Sequence, residues 1–210
     1  KTLFPYTTLF RSIVRALQVP LVDPADVGAA VLSASLLSQP VQTLDSLRAA
    51  REGSLDSEGV DLSTSVELPL MEVRALLDLG DVAKANRKLE NLADRIGWHW
   101  RLVWFRAVGE LLSGNYESAT KDFTEVLNTL PGELAPKVAL AATAELSGSE
   151  AERAFYQTVW NTDNGIISAG FGQARVQALA GDREAAVQVL SDLRERHIGI
   201  SVDDFGTGYS

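Results

Sequence analysis

Between residues 66 and 196 the apolar positions fall three or four apart, which is the spacing of one buried helix face. Tyr116, Ala119, Phe123 and Leu127 form the clearest run. Ala85, Leu89 and Leu92 repeat it upstream, and Ala186, Leu190 and Leu193 repeat it downstream. A short punctuated string precedes each run: "LLDLGDVAKA", "LLSGNYESA", "ELSGSEAER" and "ALAGDREAA". Their glycines, Gly80, Gly114, Gly148 and Gly181, lie 34, 34 and 33 residues apart. Each follows an apolar helical stretch, where a helix end favours a residue that accepts positive φ. The pattern predicts helix, tight turn, helix, four times over.

A period near 34 in a helical chain is the mark of tetratricopeptide repeats. The predicted fold class is all-α: a right-handed α-solenoid of about four helical hairpins over 66–196. Another type of helical-hairpin array is the alternative. The best unit runs from about 100 to 133. Gly114 makes its turn, small Ala119 lets the paired helices approach, and Pro131 stops the second helix because it cannot continue one. The first half of that unit lacks the usual Trp and Gly signature. The third unit departs further, since Arg153 stands where a small alanine is expected.

Residues 13–65 read differently. "VPLVDPADVGAAVLSASLLSQPVQTLDSLRAAREG" holds three prolines and predicts one or two short helices. "SLDSEGVDLSTSVELP" is a polar, acidic connector. The segment reads as a linker that docks on the first repeat.

Composition removes several chemistries. The chain has 210 residues, no cysteine and a net charge of −9. That excludes disulfides, thiolate metal sites and cysteine nucleophiles. Its negative charge repels nucleic acid, so no such partner is expected. The longest apolar run, Val27 to Leu37, is broken by serines and too short to span a bilayer. These features fit a cytoplasmic protein. A start at Lys1 reads as a fragment or a processed piece.

Candidate sites are few. His99 sits between Trp98 and Trp100, and the other histidine is His197. Two histidines without cysteine do not predict a zinc site, so no metal or other cofactor is expected. Trp98, Trp100, Trp104 and Phe105 predict a seam between the first two units. By register, Arg74, Arg101, Trp104 and Arg175 face the concave groove. There the guanidiniums could grip the carboxylates of an acidic partner segment. Pairing of each arginine with a neighbouring Glu or Asp is the alternative.

Several strings carry a resemblance. "VPLVDPADV", "VQTLDSLRAAREGSLDSEGVDL", "ELPLMEVRALLDLGDVAKA", "TEVLNTLPGELAPKVALAATAEL" and "FYQTVWNTDNGIISAGFG" are similar to the protein kinase G (PknG) family of mycobacteria and related actinobacteria. The similarity covers about 13–190. It implies the region after a serine/threonine kinase domain, with 13–65 as the linker. Implied roles are self-association, support of the neighbouring kinase domain and partner binding. No glycine-rich phosphate loop, Val-Ala-Ile-Lys strand or His-Arg-Asp loop is present, so no catalytic residue carries over. The expected function is a non-catalytic protein-interaction segment of a kinase; a purely structural spacer is an alternative.

Both ends look foreign to that family. Residues 1–12, "KTLFPYTTLFRS", resemble adapter-derived sequence, and a frayed tail with a short extended piece is expected. Residues 197–210 predict a strand-like tail. "IGISVDDFGTGYS" resembles part of an EAL-type cyclic di-GMP phosphodiesterase, which implies Asp203 and Asp204 as a metal-binding pair only within a complete barrel. A fusion with such an enzyme is a further alternative function.

Overall fold

The computed structural model describes residues 4–18, 22–35, 39–53, 61–151 and 153–195. Among these, eleven α-helices and one 3-10 turn occur, and no strand. Two helices, α2 (Ala29–Ser35) and α3 (Pro40–Gly53), form a lead-in after the N-terminal helix α1 (Phe4–Arg15). Four hairpins follow. They are α4 (Glu67–Leu79) with α5 (Val82–Ile96), α6 (Trp100–Leu112) with α7 (Tyr116–Thr129), α8 (Ala135–Ser147) with α9 (Ala154–Thr162), and α10 (Ile167–Leu179) with α11 (Arg183–Glu195). This is a tetratricopeptide-type array.

The turns explain the period. Gly80, Gly114, Gly148 and Gly181 all adopt left-handed φ, between 78° and 86°. In three of the four turns the next residue closes the helix from behind. The amides of Asp81, Asn115 and Asp182 donate to Leu76, Glu110 and Gln177 carbonyls at 2.9, 2.9 and 3.0 Å. Those carbonyls would otherwise lack partners. Asp81 and Asp182 then open the next helix, accepting from Lys84 and Ala185 amides at 3.1 and 3.0 Å. Glycine ends one helix and its neighbour starts the other.

A single apolar cluster runs through the repeats. Trp104 of α6 is 2% exposed and meets Phe123 of α7 edge-on, with centroids 5.2 Å apart. Ala85, Ala119 and Ala186 are buried where the outer helices cross their partners, and Tyr116 is partly buried beside Ala119. Pro131 is exposed just past α7. The third and fourth hairpins pack closely by another route. A Cβ placed on Gly172 would lie 2.4 Å from the Tyr156 ring, and one on Gly170 would lie 2.7 Å from the Trp160 ring. Rings on α9 and glycines on α10 thus set the close approach of the third and fourth hairpins.

The lead-in docks on α4. Leu32, Leu47 and Leu68 form a second small cluster. Val66, at the start of α4, has no capping side chain. Asp26 supplies the cap from upstream, accepting from the Val66 and Glu67 amides at 2.8 and 3.2 Å and from the Ser65 hydroxyl at 2.6 Å. Burial would raise the Asp26 pKa, but these bonds and one from the Gly28 amide outweigh it and hold it below the usual range.

Two expectations change. The extended piece foreseen at the N-terminus is helical from Phe4, because apolar Phe10, Ile13 and Val14 make a helix face that packs on the repeats, with Leu17 just past its end. Trp98 leaves the aromatic seam: it is 62% exposed, and its ring nitrogen donates to Glu125 at 2.8 Å. The C-terminal tail with Asp203 and Asp204 lies outside the described residues.

Candidate functional site

The first helices of the hairpins, α4, α6, α8 and α10, line one side of the array, and α1 packs against α6 and α8. Ile13, Val14 and Leu17 are buried there, at 7, 4 and 4% exposure. Arg15 donates to the Asp78 carbonyl at 2.5 Å, near the end of α4. Arg74 returns the contact, donating to the Arg15 carbonyl at 3.3 Å. Its Nε also bonds the Asp78 carboxylate at 2.9 Å.

The four residues assigned to the groove do not form one site. Arg74 lies at α1. Trp104 is a core residue rather than a groove residue, because α6 is covered by neighbours on several sides. Arg101 lies 3.5 Å from Glu67 and 4.8 Å above the Trp100 ring. Arg175 grips Glu145 with two bonds, 2.7 and 2.9 Å. The geometry of all three arginines is the carboxylate pairing that was the alternative to an open groove.

The strongest polar arrangement joins α8, α9 and α10. Glu145 accepts from Arg175 and from the Tyr156 hydroxyl at 2.9 Å. Burial, and then the Glu145 charge, push the tyrosine pKa far up. Burial works against the charged Arg175, but its bonds to Glu145 raise its pKa all the same. The phenol therefore stays neutral and the guanidinium charged, so the group is a lock rather than an acid–base pair. Glu67 differs: burial raises its pKa, offset in part by the Asp23 amide and Arg101. His99 caps α6, its Nδ1 accepting from the Arg101 amide at 3.2 Å. Burial, then Arg101, lower its pKa, which keeps the accepting form.

Among the described residues no cluster of His, Asp or Glu could hold a metal ion. No described helix is long and apolar enough to cross a membrane.

The comparisons with known proteins give the frame. The family model for the protein kinase G tetratricopeptide repeat matches residues 7–197. The chain belongs to this family. The kinase PknG of Mycolicibacterium smegmatis is 72% identical over 183 residues, and that of Mycobacterium leprae 69% over the same length. Each match covers 87% of this chain and 24% of the relative. The chain thus spans about a quarter of those kinases, and the match falls on their repeat region. It is a non-catalytic tetratricopeptide segment. A solved chain, the MamA RS-1 ArsTM double mutant, shares the fold with a TM-score of 0.55 at 16% identity, covering 92% of this chain and 95% of that one.

In this protein kinase G repeat segment, sequence reading missed Glu145, Tyr156, the two α10 glycines and the docked face of α1. The apolar spacing of Phe10, Ile13, Val14 and Leu17 was the available signal for α1.

Proposed function

We propose that the chain is the protein-interaction segment of a serine/threonine protein kinase. In this reading 13–65 links the repeats to a preceding kinase domain, and 66–196 presents the inner face to that domain, to a partner protein or to a second copy. A cytoplasmic setting, where a kinase finds ATP, belongs to the same proposal. The observation that carries it is α1 itself: the inner face of the repeats takes up a helix from outside them. An acidic partner segment is the finer reading. It would exchange with Asp78, Glu67 and Glu145 for Arg74, Arg101 and Arg175.

The test is a pull-down of the kinase portion of the M. smegmatis relative by the immobilised chain, with ATP turnover by the chain alone measured in a separate sample. Retention without turnover is expected. Weaker retention on Arg101→Ala supports the acidic segment; unchanged retention removes it. A chain that retains nothing is a spacer, and ATP turnover overturns the assignment.

A further inference from the structure

Helix α1 carries the signature of a helix that lies in a groove. Phe10, Ile13 and Val14 of α1, with Leu17 just past its end, stand at i, i+3, i+4 and i+7 and pack on the repeats, while Arg11 and Arg15 lie along its exposed edge. Two arginines fix its end. Arg15 holds the Asp78 carbonyl, at the negative end of the α4 dipole. Arg74 holds the Arg15 carbonyl, which is left without a helical partner at the end of α1. Apolar contact sets the position and the arginine pair sets the direction.

The fit is incomplete on one side. A cleft of 190 Å³ remains between α1 and the inner helices α8 and α10. Ala16 and Leu17 line one wall, and Val138, Ala142, Phe171 and Arg175 line the other. The mouth is mostly apolar, and the Arg175 charge is matched by Glu145. A longer apolar side chain at the Ala16 position would enter this space.

We propose that the inner face is a receptor for an amphipathic helix, that α1 is its tethered occupant, and that a partner helix with a bulkier apolar residue at the Ala16 position displaces α1. This rests on the interaction role proposed above. A tether gives α1 a high local concentration, so the partner must gain contacts that α1 lacks. The cleft supplies them.

The probes are two fluorescent peptides, FPYTTLFRSIVRALQ (residues 4–18) and the same peptide carrying Ala16→Leu. Titrated into the full chain, the leucine peptide is expected to bind roughly fivefold more tightly than the unsubstituted one. In the full chain carrying Val14→Asp and Leu17→Asp, α1 is unseated, and both peptides gain about tenfold or more. Equal affinity of the two peptides, or no gain with helix content retained, overturns the proposal. A second variant covers the case where that chain does not fold. Ala16→Leu in the full chain should raise Tm by about 2–4 °C and weaken binding of the unsubstituted peptide. A lower Tm with unchanged peptide binding overturns the proposal as well. The pull-down of the kinase portion reads the interaction role with α1 in place, so the two readings can fail separately.

Discussion

The first two hairpins and the third hold their helix pairs together by different chemistry at the same place. In the first, Glu72 of α4 pairs with Lys88 of α5, sixteen residues on. In the second, Arg106 of α6 pairs with Asp122 of α7, also sixteen residues on, at 2.7 and 2.9 Å. Each residue of the second pair lies 34 positions after its counterpart in the first, and the signs are exchanged. One period later the positions hold Leu140 and Tyr156, both buried. The crossing needs a matched pair; which helix carries the acid, or whether there is charge at all, is open. In both ion pairs the acid is the more buried member, at 7 and 8% exposure against 38 and 52% for the cations. Long cationic side chains reach solvent more easily. Where the charge is absent, the tyrosine ring takes the space and sends its hydroxyl to Glu145.

That contrast predicts unequal sensitivity. Glu145→Ala should cost the most, about 3 kcal/mol in urea unfolding, because Arg175 and the Tyr156 hydroxyl lose a common partner. A loss below about 1 kcal/mol would place the strength of the second half elsewhere. Gly172→Ala follows at about 2 kcal/mol, since the added methyl runs into the Tyr156 ring. In the first two hairpins the tightest case is milder, a Cβ on Gly109 lying 3.3 Å from the Asn86 side chain.

The first hairpin has its own dependence. Asp26→Ala should cost about 1 kcal/mol through loss of the α4 cap, with faster amide exchange at Val66 and Glu67. Its folded pKa is depressed, so its contribution is complete above the unfolded value and fades as pH falls through the folded one. The acid limb of a stability–pH curve should flatten in the alanine variant; an unchanged limb would remove this role. The smallest effect belongs to the exchangeable pair. Arg106→Glu should cost about 1 kcal/mol by facing Asp122, and adding Asp122→Lys should restore most of it. A double variant no better than the single would show that the sign at this crossing is fixed after all.

The sequence made the array legible because its punctuation is local. Gly80, Gly114, Gly148 and Gly181 act on residues within one turn, so their meaning survives without tertiary knowledge. The inner face was less readable. Arg175 meets a carboxylate 30 residues away, and Arg101 one on the preceding hairpin. No helical spacing marks such partners. Trp104 was assigned to a groove by register, but α6 is buried on more than one side, which a single-face pattern cannot express. The exchange of Glu72–Lys88 for Arg106–Asp122 was within reach, since the glycine period also predicts which charges correspond.

The glycine-led turns have a consequence for how such a chain can change length. Where Asp81, Asn115 and Asp182 close the helix behind them, the joint satisfies its own backbone within a few residues. A joint of that kind can be copied with its hairpin and still work in its new position. The third turn opens with Gly148 but has no such closing bond, and Ser149 to Ala151 are exposed. Growth by duplication therefore suits the three closed joints, whereas the third is the natural place to receive inserted sequence.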